Sequence, residues 1–310
     1  MRVNRIVNGL LLSLFPSILL ASSGGEEVHF PIWSGIFFVI MLLSIAVIPL
    51  INAEWWSKRY GWVAIALAIP AGIIVVSQKT SLLIHVIGEY LSFIILLGSL
   101  FIIAGGIVIR IGAKGTPKLN ALLLFLGAFF ASFIGTTGAS MVLIRPLIRA
   151  NKWRKNIIHI FIFFIFLVSN IGGLLTPLGD PPLFLGFLKG VPFLWTFKLI
   201  PFWIFAIAVL IIIFFFIDNY FLKKEDIDSA NVMPISEKRL EIKGKRNFIF
   251  LLMVIGSFFL PPLFREIVMI SAGLLSIYFT PITLREENSF TYHPIIEVAL
   301  LFIGIFVTMI

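Results

Sequence analysis

The chain has no cysteine. Disulfides, thiolate-ligated haem, cysteine zinc sites and iron–sulfur clusters are therefore excluded. Charge is scarce too: Asp, Glu, Lys and Arg make up 13% of the 310 residues, against about 25% in a soluble domain. Histidines number four, and His29, His159 and His293 fall at no metal-ligand spacing. Phosphate loops, Gly-x-Ser-x-Gly and His-Glu-x-x-His are all missing. No enzymatic constellation is visible, and no cofactor is expected beyond ions.

Apolar sequence dominates instead. The chain is 60% hydrophobic with 33 phenylalanines, and its mean hydropathy is +1.09. Several apolar runs reach the roughly 20 residues that cross a bilayer. The composition predicts an all-α polytopic membrane protein whose first partner is the lipid bilayer. A net charge of +9 could suggest nucleic acid. The basic residues, however, sit in short loops between apolar runs, as the positive-inside rule expects. That places the protein, multi-pass, in a cell inner membrane, with no nucleic-acid partner.

The most informative stretch is Ser169-Asn170-Ile171-Gly172-Gly173-Leu174-Leu175-Thr176-Pro177-Leu178-Gly179-Asp180-Pro181-Pro182. Apolar runs enter it from Ile157–Val168 and leave it through Leu183–Leu188. Three glycines and three prolines cannot hold a regular helix, because proline removes donors and glycine loosens the chain. A broken helix at membrane depth is tolerated where its freed backbone groups face protein or water. Discontinuous helices with polar groups at the break are how secondary transporters build ion and substrate sites. Here the break carries Asp180, with Ser169, Asn170 and Thr176 beside it.

Arg2 and Arg5, the apolar run Ile6–Leu20 and Ala21-Ser22-Ser23 fit a signal peptide or a first helix over residues 1–23. Spans follow at Pro31–Ile51, Gly61–Gln78 and Leu82–Ile109. The segment Leu119–Ala150 then has two short arms around Gly135-Thr136-Thr137-Gly138-Ala139. Basic loops flank it on both sides, with Arg110, Lys114 and Lys118 before it and Arg145, Arg149, Lys152, Arg154 and Lys155 after. A re-entrant hairpin over about 119–150 keeps both loops on one side; a single kinked crossing does not. The broken helix covers about 156–190, and Pro192–Ile217 returns. Residues 218–246 read as a polar cytoplasmic linker, followed by spans at Asn247–Phe264 and Glu266–Thr280 and a further one from Pro294.

Asp180 is the leading candidate ligand. A carboxylate at membrane depth marks an ion path or a proton relay, and one such group can hold either H⁺ or Na⁺. It also fits a helix cap before Pro181. Thr136, Thr137, Ser169, Asn170 and Thr176 suit cation coordination and, equally, close helix packing. Glu89, one turn after His85, reads either as a proton relay or as an interfacial partner of Lys79. Arg145 either snorkels or attracts an anionic substrate.

The hairpin tip Ile134–Ser140 and the run Ser169–Pro182 resemble the ion transporter superfamily, in particular its group of citrate transporters and sodium/proton antiporters. The resemblance spans about 31–310. It implies an inverted-repeat secondary transporter fold in which each repeat has scaffold helices, a hairpin and a broken helix. Thr136, Thr137, Ser169, Asn170, Thr176 and Asp180 would then fall at the first-repeat ion site. It further implies a homodimer. Residues 24–217 correspond to the first repeat and 247–310 to the start of the second, which lacks its own hairpin and break. This points to a split or truncated gene product, with a second polypeptide supplying the remainder or with no independent transport. The function expected is sodium/proton antiport. The alternative is sodium- or proton-coupled symport of citrate or another small carboxylate.

Overall fold

The computed structural model describes residues 30–225 and 240–310. The expectation of a signal peptide or first helix over residues 1–23 lies outside the described residues, as does most of the linker.

The fold is mostly helical. Among the described residues, six helices are long and apolar enough to cross a membrane: Ile32–Ile51, Ala53–Gly105, Pro117–Ile134, Ile158–Leu175, Phe193–Leu222 and Pro262–Phe279. The protein is a multi-pass membrane protein. Its elements in order are α1 (Ile36–Ile51), α2 (Ala53–Gly105), β1 (Val108–Ile111), α3 (Pro117–Ile134), α4 (Thr136–Asn151), α5 (Ile158–Leu167), α6 (Pro181–Leu188), α7 (Ile200–Leu222), β2 (Leu240–Lys243), α8 (Arg246–Ser257), α9 (Pro262–Phe279), α10 (Ile282–Glu287) and α11 (His293–Thr308).

At 53 residues, α2 would be about 80 Å long if straight, far beyond the ~30 Å hydrocarbon core. It is two arms joined at Lys79, whose backbone leaves the helical region at φ −158°, ψ 99°. Helix α11 lies along both arms. Gly61 faces Leu300 and Gly72 faces Val307 on the first arm, while Phe93 packs on Phe302 and Phe306 on the second. Along the second arm Ile87 shares a cavity with Val307, and the later Leu97 shares one with the earlier Ile295, so the arms run in opposite directions. Phe93 also touches Phe184 of α6, with ring centroids 6.0 Å apart, which joins the broken helix to this core.

The C-terminal end of α2 leaves carbonyls without helical partners, as every helix end does. Three side chains supply donors. Arg285 bonds the Ile102 carbonyl, Asn288 those of Gly105 and Ile107, and Asn247 that of Gly106. The segment after α9 is thereby fastened to the end of α2.

Three boundaries differ from the sequence expectation. A two-stranded antiparallel sheet pairs β1 with β2, Ile109 opposite Ile242 and Arg110 opposite Glu241, so the chain is not all-α. Helix α7 continues to Leu222, which puts Asp218 inside a helix and not at the start of a linker. The span expected over Asn247–Phe264 ends at Ser257, and α9 begins at Pro262. Pro261-Pro262 accounts for this: proline ends one helix and is favoured in the first turn of the next.

Candidate functional site

Helices α3 and α4 form a hairpin. Thr116 caps α3 by accepting from the Leu119 amide at 3.3 Å, with Pro117 at the first helical position. The reversal takes one residue, Gly135, at φ 75° and ψ 150°, a conformation that a residue with a Cβ resists. The feet of the hairpin close on each other. The Gly115 amide donates to the Ala150 carbonyl at 2.7 Å, and Asn120 and Asn151 exchange side-chain hydrogen bonds of 2.9 and 2.7 Å.

The broken helix has three parts: α5, a 3₁₀ turn over Ile171–Leu175, and α6. Between the last two, the chain folds back so closely that Gly173 and Gly179 meet backbone to backbone. A Cβ on Gly179 would collide with the Gly173 carbonyl. Side chains satisfy the freed carbonyls. Ser132 donates to Gly172, Thr176 donates to the Ser132 carbonyl, and Thr196 donates to Leu175 at 2.8 Å. The Thr176 hydroxyl also accepts from the Leu178 amide at 3.1 Å. Thr176 is fully buried and its hydroxyl is occupied, so it holds the wall of the break and presents no free oxygen.

The tip of the hairpin meets the break directly. The Thr136 amide donates to the Gly179 carbonyl at 3.1 Å, and the Ser140 and Ser169 hydroxyls lie 2.9 Å apart. A cavity of about 80 Å³ opens at the junction, lined by Thr136, Thr137, Gly179 and Pro181 and closed by Phe101 and Phe302. Asp180 falls between two of the lining residues and is half-buried. It occupies the N-cap position of α6, yet its side chain makes no capping bond. Ser169 and Asn170 are exposed. Among the described residues no group of three His, Cys, Asp or Glu side chains gathers to hold a metal. A cation at Asp180 would depend on hydroxyl and carbonyl oxygens.

A hairpin whose tip bonds to an interrupted, carboxylate-bearing helix is an arrangement suited to carrying ions. The family model described as "Putative citrate transport" matches residues 27–310. The chain belongs to that family. No curated protein and no solved structure gives a significant match. As a member of the citrate transport family, the protein is a membrane transporter.

Two polar pairings escaped the sequence reading. At the feet of the hairpin, Asp218 of α7 pairs with Arg154 at 2.6 Å, both side chains fully buried. It also bonds His159 of α5 at 2.7 Å and Asn120 of α3 at 3.0 Å. His159, which had no ligand spacing, is thus a structural partner. A cation and an anion spaced 64 residues apart give no local signal, though an Asp at the end of an apolar run was one available hint.

Glu89 is the second case. It does not pair with Lys79. Its partner is Lys189, at the C-terminal end of α6, with Nζ 2.7 Å from Oε1. Arg145 is half-buried, and its guanidinium donates to the Glu287 carbonyl at 3.2 Å and to the Ser289 hydroxyl at 2.8 Å.

Proposed function

We propose that the protein is a secondary active transporter that exchanges sodium for protons across the inner membrane, with Asp180 as the carboxylate the two ions share. The observation that carries this reading is the state of the Asp180 side chain. It sits at the break of a spanning helix, and among the described residues it accepts no hydrogen bond and forms no ion pair. A carboxylate at membrane depth is costly without a partner, and a small cation is its complement. Thr136, Thr137, Ser169 and Asn170 lie around the same junction as neutral oxygen donors, with Thr176 bracing the break. Glu89 serves as the proton relay. On the same reading, residues 24–217 are one repeat of an inverted-repeat transporter and 247–310 belong to the second.

The family description favours a second reading, cation-coupled symport of citrate or a related carboxylate. In that case Na⁺ sits between Asp180 and the anionic substrate, because two carboxylates repel each other without it.

One assay separates the two. In sealed vesicles holding a pH gradient, a Na⁺ pulse alone dissipates the gradient if the protein is an antiporter. If it responds only when citrate is supplied, the symport reading replaces it. Asp180→Asn abolishes the response under either reading, and an unaltered response in that variant removes Asp180 from the site.

A further inference from the structure

Helix α6 is a rod of eight residues, about 12 Å long, with Asp180 at one end and Lys189 at the other. At the Lys189 end, Glu89 Oε1 takes the Lys189 ammonium at 2.7 Å and lies 3.2 Å from His85 Nε2. Glu89 is only 7% exposed, whereas the Lys189 side chain is 54% exposed. The other carboxylate oxygen, Oε2, is buried and has no hydrogen-bond partner among the described residues.

The surrounding charges account for themselves. One turn along α2, Ser92 donates to Glu266 Oε1 of α9 at 2.8 Å. Arg265 closes on that same oxygen at 2.6 Å and lies 5.3 Å from the ring of Phe187 on α6. Glu266 and Arg265 therefore neutralise each other, and the exposed His85 is the remaining titratable neighbour of Glu89.

A buried acceptor without a donor is destabilising. A metal cation needs several oxygens, and among the described residues no group of three His, Cys, Asp or Glu side chains forms around Glu89. A proton needs one lone pair. We infer that Glu89 is a proton site whose occupancy unties α6: protonation of the carboxylate removes the charge that holds Lys189 and releases the far end of the rod that carries Asp180. The Lys189 ammonium moves into solvent with its own proton, so one proton is bound and none is lost. The tie exists only with Glu89 ionised, and protonation of the carboxylate undoes it. This deepens the antiport reading by linking a proton at one end of α6 to the ion at the other. The tie itself does not depend on what Asp180 binds.

The test uses the absence of cysteine. Leu188, in the last turn of α6 and half-buried, is replaced in the full chain as the single reporter Leu188→Cys. Its maleimide labelling rate is measured against pH in detergent, with and without Glu89→Gln. Dividing the two rates cancels the titration of the thiol itself. The expected ratio is near one in acid and about fivefold below one at neutral pH. Lys189→Gln should label as fast as Glu89→Gln at every pH. A ratio of one throughout, or wild-type rates in Lys189→Gln, overturns the proposal. Comparison with the exposed reporter Trp195→Cys needs neither variant. The Leu188→Cys rate relative to it rises on acidification, and a flat ratio is equally fatal. Because no transport is measured, a working tie together with a pH gradient that a Na⁺ pulse leaves intact would reject the antiport reading alone.

Discussion

The amide of Thr136 donates to the carbonyl of Gly179 across 3.1 Å, so the hairpin tip and the broken helix share a backbone hydrogen bond at the point where Asp180 begins. That contact requires Gly179 and Gly173 to lie against each other. Gly179→Ala forces the two segments apart, with an expected cost of about 1–3 kcal/mol of the overpacking kind. Loss of ion-coupled transport should be greater than the loss of thermal stability suggests. Transport at wild-type rate in Gly179→Ala would show that the close approach is not needed.

The two classes of polar residue around the break should separate experimentally. Thr176→Val leaves the Leu178 amide without its acceptor and the Ser132 carbonyl without its donor, which should destabilise the fold by about 1–3 kcal/mol. Asn170→Ala, at an exposed position, should leave the melting temperature nearly unchanged and weaken Na⁺ dependence. Melting curves and Na⁺ titrations on the same two variants make the comparison. The opposite pattern would exchange their roles.

At the feet of the hairpin, Arg154 and Asp218 are a fully buried pair. Removing one partner leaves a lone buried charge, which typically costs about 3–5 kcal/mol. Asp218→Ala should therefore lower stability sharply, while Arg154→Met combined with Asp218→Leu should recover much of the loss. Denaturation of the three proteins in one detergent reads this directly. No recovery in the double variant would mean that the bonds to His159 and Asn120 matter more than the charges.

Acid should loosen the contact between β1 and α10. Arg110 grips Glu287 with two bonds of 2.6 and 2.8 Å, and these hold its carboxyl below the usual range against the opposing effect of burial, helped by the charges of Arg110, Lys243 and Arg149. At Glu225, partial burial pushes the carboxyl up. The amides of Lys155 and Asn156 and the Asn156 side chain outweigh it, so the net direction is down. A depressed carboxylate contributes stability above its unfolded pKa and loses it as pH falls through the folded one. Melting temperature should thus be steady above about pH 5 and drop below about pH 4. Glu287→Gln should flatten part of that drop; an unchanged profile would exclude Glu287 as a contributor.

The parts of the fold legible in the sequence are those written in local signals. Gly135 and the glycine–proline run after Val168 interrupt apolar helices wherever they occur, and both interruptions stand in the structure where the residues place them. The alternation in Leu240-Glu241-Ile242-Lys243 and the β-branched Val108-Ile109-Arg110-Ile111 were also readable as two strands. Four residues each, flanking spans, they were too short to compete with the helical pattern. What no local pattern could give is pairing over distance. Glu89 finds Lys189 across 100 residues, although Lys79 was the nearer cation in sequence. Arg154 finds Asp218 because α5 and α7 pack side by side.

Ser169 and Asn170 are exposed, and so is the hydrogen bond between Ser140 and Ser169. Hydrocarbon accepts neither free hydroxyls nor the unpaired backbone of an interrupted helix. This side of the hairpin must therefore meet water or another polypeptide, and the molecule's rotational setting in the bilayer follows. Phe129 and Phe130, both exposed, belong to the oily circumference, while among the described residues the serines and the asparagine give this side of the hairpin a polar sector.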